Sequence, residues 1–206
     1  MSLVDVFLDN KHFALVCGDT NLKKPDGSKS KIAKVLRSSN NIIFGFTGDV
    51  KNNVEFFSPF LTNELKINED VIRNFEYTDI INILNSKHGE YISNTMLSSN
   101  FDICSIIVGF DGLKFRGMRY CISSKDKSYK ELGNQESGIE ITHLGKEEHL
   151  NTFIELNEER LKELRKQNLE PSIEDLIHVF QETINIGSKF DETINNIMCH
   201  DIIYLE

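Results

Sequence analysis

The sequence predicts a mainly antiparallel α+β fold, a four-layer αββα sandwich with two sheets between two pairs of helices. Two observations predict it. The apolar pattern runs as four strands, two helices, three strands, two helices and a short closing strand, so strands come in runs and helices in pairs. A parallel sheet would need them to alternate. Residues 41–49, Asn-Ile-Ile-Phe-Gly-Phe-Thr-Gly-Asp, form an almost unbroken apolar run. A strand buried on both faces reads this way where it hands over to a helix. With 206 residues and no Pro/Gly/Ser-rich linker or composition break, the chain suits a single domain over 1–206.

The elements follow in order. Leu3-Val4-Asp5-Val6-Phe7-Leu8 and Phe13-Ala14-Leu15-Val16-Cys17-Gly18 are strands joined by the turn Asp9-Asn10-Lys11, and the second ends at Asp19. Residues 20–30 carry Asn21, Pro25, Asp26 and Gly27 and read as a polar loop. Residues 31–36 form a third strand, which Ser38-Ser39-Asn40 turns back into the buried fourth. Asp49 then caps a helix whose apolar positions Val50, Val54, Phe57, Leu61 and Leu65 share a face, with a kink near Ser58 from Pro59. Thr78 caps a second helix that turns Ile80, Ile81, Leu84, Tyr91 and Ile92 inward, with Gly89 weakening it and His88 reading as a packed side chain.

The apolar run 101–110, the turn Asp111-Gly112 and residues 113–122 make a hairpin. A polar excursion over 123–137 precedes the alternating strand 139–144, which Gly145 ends. Glu147 and Glu148 open a third helix that buries Leu150, Phe153, Ile154, Leu161 and Leu164, leaving its charged middle as a solvated face. Ser172 caps a fourth helix with Asp175 in its first turn, Ile173, Ile177, Phe180 and Ile184 inward, and Gly187 as its stop. Ile202-Ile203-Tyr204-Leu205 closes the chain as a strand.

A net charge of −9 and a pI near 5.2, with basic residues dispersed among acids, argue against a nucleic-acid surface. No apolar run of membrane-spanning length and no signal peptide is present, so the expected location is cytoplasmic. Cys17, Cys104, Cys121 and Cys199 lack C-x-x-C spacing and read as buried reduced thiols, with no metal and no cofactor expected. Met1-Ser2-Leu3 and Glu206 are compatible with remnants of cloning.

Chemistry could sit at the turn after residue 47. Gly48 lets another group approach the backbone, and N–H groups at a helix start favour a bound anion or a developing oxyanion. Taken with the N-terminal strand, Val16-Cys17-Gly18-Asp19, Lys31-Ile32-Ala33-Lys34-Val35, Gly45-Phe46-Thr47-Gly48, Ile106-Ile107-Val108-Gly109-Phe110-Asp111 and Leu144-Gly145, the chain resembles the N-terminal-nucleophile (Ntn) hydrolases. The likeness is to proteasome β-type subunits and the related peptidase subunit of the bacterial ATP-dependent protease. It spans most of the chain in element order and is best in the first fifty positions.

The resemblance implies an amide-bond hydrolase acting on peptides, in which the first residue of the mature chain supplies both a nucleophilic hydroxyl and an α-amine base. Such an amine has a reference pKa of about 7.7–8, and a nearby cation depresses it. By position, Ser2 is the nucleophile once Met1 is removed, Asp19 holds a lysine, Lys31 lies beside the amine with Lys34 as its rival, Gly48 faces the oxyanion, and Asp191 supports the amine. A homo-oligomeric ring and an ATP-dependent unfoldase are implied in the same way. Two departures support an alternative, a catalytically inactive subunit serving as an assembly or binding module: Met1 or Ser2 stands where the family has threonine, and Leu144-Gly145-Lys146 lacks its serine. A weaker reading takes Asp19, Asp49 and Asp111 as hard-metal ligands of a phosphoesterase.

Overall fold

A computed structural model describes residues 3–23, 28–37, 42–57, 76–93, 102–123, 127–136 and 138–205. Met1, Ser2, residues 24–27, the 38–40 turn, the expected kink at Ser58 and Pro59, Leu61, Leu65, Phe101 and Glu206 lie outside the described residues, as do the side chains of Val54, Phe57 and Ile92.

The N-terminal hairpin forms as its pattern requires, from β1 (Val4–Asp9) and β2 (Phe13–Asp19), with Asp9 Oδ1 accepting the N–H groups of Lys11 and His12 across the turn. A ribbon follows from β3 (Asn21–Lys23) and β4 (Lys29–Lys31). Next come β5 (Val35–Arg37), β6 (Ile43–Gly48), α1 (Val50–Phe57) and α2 (Tyr77–Ser93). The second half holds β7 (Asp102–Phe110), β8 (Phe115–Ser123), β9 (Lys127–Leu132), β10 (Ile139–Leu144), α3 (Glu147–Lys166), α4 (Ile173–Phe190) and β11 (Met198–Tyr204).

One sheet has the order β10-β1-β2-β11 and the other β5-β6-β7-β8-β9, and every pairing in both is antiparallel. Strand alternation builds the layers. Val4, Val6, Leu8, Ala14 and Val16 meet Ile43, Ile106, Val108 and Phe115 between the sheets. The opposite faces bury Phe44, Ile107 and Tyr120 against α1 and α2, and Phe7 and Leu15 against α3 and α4, where the Phe153 and Phe180 rings stack 4.2 Å apart. At about 1.5–3 kcal/mol for each fully buried large side chain, these three apolar layers provide most of the drive to fold. The expected αββα sandwich is the observed one.

Several local expectations are corrected. The third strand, expected over 31–36, is split into β4 and β5, because Lys34 between them turns inward to an acid instead of continuing the strand. The polar excursion contains β9, an exposed edge strand of mostly polar residues whose composition hides it. β11 begins at Met198, ahead of the expected Ile202. Thr78 lies inside the first turn of α2, where Asp79 accepts the Glu76 N–H at 3.1 Å. Ile154 is 39% exposed, because His149, Phe153 and Leu164 form the buried face of α3. Gly187 does not stop α4, which runs on to Phe190; a Cβ there would stand 3.1 Å from the His149 ring, so the glycine serves close helix packing.

Two caps form as their residues dictate. Asp49 Oδ1 accepts the Asn52 N–H at 2.8 Å. Ser172 and Asp175 make a reciprocal capping box at the start of α4.

Candidate active site

The apolar run of β2 delivers Asp19 to the strand end, where its side chain is fully buried. A buried carboxylate must be paired, and this one is. Oδ1 accepts Lys34 Nζ at 2.7 Å and the Leu3 N–H at 2.9 Å, and Oδ2 accepts the Asn21 N–H at 2.8 Å. The Asp19 N–H donates in return to the Leu3 carbonyl at 3.1 Å. Leu3 is therefore clamped to Asp19 from both sides, and its side chain is buried with Ile184 and Ile194.

Lys34 is 3% exposed. Burial lowers the pKa of its ammonium, and Asp19 opposes that by charge and hydrogen bond. Its carbonyl accepts the Phe46 N–H at 3.1 Å, which fixes the lysine segment to β6 two residues before Gly48.

The lysine held by Asp19 is thus Lys34, and the expectation for Lys31 is corrected. Lys31 is exposed on β4 and pairs with Asn21 in the ribbon, so it does not stand beside the Asp19 carboxylate. The spacing to Gly48 suits either lysine, and only the break between β4 and β5 selects one.

Gly48 ends β6 with φ of 81°, a left-handed conformation in which a side chain is strained. The turn is locked from α1: Asn53 Nδ2 donates to the carbonyls of Thr47 and Asp49, at 2.8 Å each. The Asn53 Oδ1 accepts in turn from the Ser105 hydroxyl of β7. Sequence reasoning did not identify Asn53, because a polar residue inside a helix reads as solvent-facing until its neighbours are known.

Asp191 sits at the C-terminal end of α4 and is 5% exposed. Lys146 Nζ lies 2.7 Å from its Oδ2, and the Thr193 N–H and hydroxyl donate to Oδ1 at 2.9 and 2.6 Å. Burial acts to raise the Asp191 pKa, but the bonds from Lys146 and Thr193 outweigh it and hold the carboxyl well below the usual range. His149 Nε2 stands at 3.6 Å from the same carboxylate.

The Asp191 loop is fastened to the Asp19 end of β2. Asn195 exchanges hydrogen bonds with Thr20, and Asn21 Nδ2 donates to the Glu192 carbonyl at 3.3 Å. Leu3, the first described residue, is therefore held by Asp19 and packed against Ile194 of the Asp191 loop, and the Gly48 turn is tied to the Lys34 segment. Ser2 lies outside the described residues.

Asp5 is a further acid in this region that sequence reasoning did not single out. It is fully buried, one strand from Cys17, and neither oxygen has a hydrogen-bond partner among the described residues. Burial, then the charge of Asp19, pushes its pKa well up.

His88 is buried against the Tyr120 and Tyr129 rings, as expected of a packed side chain. The three acids of the phosphoesterase reading serve separate local purposes. Asp19 pairs with Lys34, Asp49 caps α1, and Asp111 accepts the N–H groups of Leu113 and Lys114 in its own turn. Among the described residues no group of three or more His, Cys, Asp or Glu is arranged to hold a metal ion. Among them, too, no helix is long and apolar enough to cross a membrane.

A scan against protein-family models finds no match, and neither does a search of the curated proteins. A search of solved structures finds Anbu, an ancestral β-subunit from Yersinia bercovieri, with a TM-score of 0.65 at 10% sequence identity, covering 98% of this chain and 81% of that one. At that identity the likeness speaks for the fold alone: this chain has the αββα sandwich of a proteasome β-like subunit.

Proposed function

We propose that the protein is a proteasome-type Ntn hydrolase that cleaves peptide bonds with a nucleophile at the start of its mature chain. The observation that carries the reading is the fully buried Asp19–Lys34 pair clamped to the backbone of Leu3. A lysine cation held in an apolar wall beside the chain start is the group such chemistry needs, because it depresses the pKa of a neighbouring α-amine and leaves it free to act as a base.

In this reading the α-amine takes the proton of the N-terminal hydroxyl, that of Ser2 in this sequence. The oxygen attacks the scissile carbonyl, and the oxyanion faces the Gly48 N–H. The amine then protonates the leaving amine, and water releases the acyl group. Asp191 supports the amine from the α4 side. A homo-oligomeric ring in the cytoplasm, supplied with polypeptide by an ATP-dependent unfoldase, belongs to the proposal by resemblance.

The test treats the protein, with its natural N-terminus, with an electrophile that labels N-terminal hydroxyls and reads the intact mass. One adduct on the first residue, lost in Lys34→Ala, is expected. A correctly processed N-terminus that takes no adduct refutes the reading.

One observation favours the alternative, an inactive assembly or binding module. The Leu144-Gly145-Lys146 segment lacks the family's serine, and Lys146, with Thr193, occupies the Asp191 carboxylate. That reading expects Met1 to be retained in native protein.

A further inference from the structure

Cys104 on β7 and Cys121 on β8 are direct partners in the antiparallel register, and their sulfurs stand 3.4 Å apart. Facing residues of an antiparallel pair have Cα atoms about 4.5–5.5 Å apart, inside the roughly 4.4–6.8 Å window that a disulfide spans. Both are thiols, and neither belongs to the site described above. Cys104 is half-buried on the face turned toward β1 and β2. Its partner on the other side is Thr47, and the adjacent register pair is Gly48 with Ile103. The other two cysteines are not so placed: Cys17 lies in the apolar layer under α3 and α4, whereas Cys199 faces the layer between the sheets.

We propose that Cys104 and Cys121 form an oxidation site, at which hydrogen peroxide joins them in a cross-strand disulfide that braces β7 and β8 beside the Gly48 turn. The more accessible Cys104 loses its proton, and its sulfur attacks one peroxide oxygen and breaks the O–O bond. This leaves a sulfenic acid on Cys104, while the departing hydroxide takes up the proton as water. Cys121 then attacks the sulfenic sulfur and expels a second hydroxide, which takes up the Cys121 proton. Two thiols and one peroxide thus give one disulfide and two waters. The bond to Cys121 and burial hold the Cys104 thiol above its ordinary range, with Arg119 pulling the other way. A thiol so held reacts slowly with reagents from solution, but the second step needs no diffusion because its partner is already in place.

The experiment exposes the folded full chain to stepwise hydrogen peroxide and reads intact mass, a non-reducing peptide map and backbone amide exchange. The expected result is a loss of about 2 Da, one linked peptide pair joining Cys104 to Cys121, reversal by dithiothreitol, and slower exchange at Thr47 and Gly48 in the oxidised form. Cys104→Ala removes the link and Cys17→Ala leaves it; the wild-type map decides should a variant fail to fold. Links through Cys17 or Cys199, sulfinic acid on Cys104 without a link, or unchanged exchange at Thr47 and Gly48 would overturn the proposal. The chemistry is read without substrate, so its failure is separate from any failure of the hydrolase reading.

Discussion

Removing one member of the Asp19–Lys34 pair should destabilise the protein far more than half as much as removing both. Asp19 is fully buried and receives three donors, the N–H groups of Leu3 and Asn21 and the ammonium of Lys34. In Asp19→Asn the ammonium, 3% exposed, loses its counter-charge inside the protein. Breaking a buried pair from one side costs about 3–5 kcal/mol. Lys34→Met keeps the stem and removes the cation. Asp19 then retains two backbone donors, so the loss should lie near the lower end, about 3 kcal/mol. In the double variant no charge is stranded, and the main cost is a backbone N–H that the amide satisfies poorly, about 1–3 kcal/mol. The double variant should therefore fall short of the sum of the singles by about 3 kcal/mol or more. Urea unfolding followed by circular dichroism, with m-values compared among the four proteins, measures each term. Additivity within about 0.5 kcal/mol would mean that the two side chains are not coupled, and the buried pair would be refuted.

Two other perturbations test the neighbouring groups. Gly48→Ala forces a side chain into the left-handed region at φ of 81° and sets its Cβ 2.7 Å from Asp102 Oδ2. The dihedral alone should cost about 1–2 kcal/mol, and adding Asp102→Ala should relieve only the contact; a thermal melt equal to wild type would show that the turn does not need glycine. Asp5→Asn removes a carboxyl whose pKa is raised in the folded state by burial and by Asp19. The folded protein holds that proton over a pH range where the unfolded chain has released it, so the stability Asp5 contributes is full below about pH 4 and falls as pH rises. Asp5→Asn should therefore match wild type near pH 4 and be more stable at pH 7, and a variant less stable at pH 7 would contradict the raised pKa of this buried, unpartnered acid.

Much of this architecture was legible because it rests on periodicity. The apolar run at 42–47, the alternation in β1 and β2 and the Ser172 capping box each state their structure locally. Asp19 and Gly48 were legible for a related reason, since both mark the ends of strands that announce themselves. The choice between Lys31 and Lys34 was not legible. It depends on where the chain leaves the β3–β4 ribbon and which lysine then turns inward, a tertiary matter that residue spacing does not encode. Asp5 was hidden for the opposite reason: an acid in an alternating strand reads as the solvent side, and here that side is roofed by α3 and α4. β9 escaped because an edge strand can be made of residues that elsewhere make loops. The Lys146–Asp191 pair joins positions 45 residues apart (191 − 146), and nothing at either position names the other.

The clasp between Thr20 and Asn195 joins residues 175 positions apart, and it holds the Asp191 loop against the end of β2. A ribosome makes the two halves of this contact many seconds apart, at about 5–20 residues per second. A nascent chain that has already formed its first hairpin therefore still lacks the Asp191 loop that fastens to the end of β2. Under the proposed hydrolase reading, the candidate site is therefore completed late in synthesis, only after the Asp191 loop has been made.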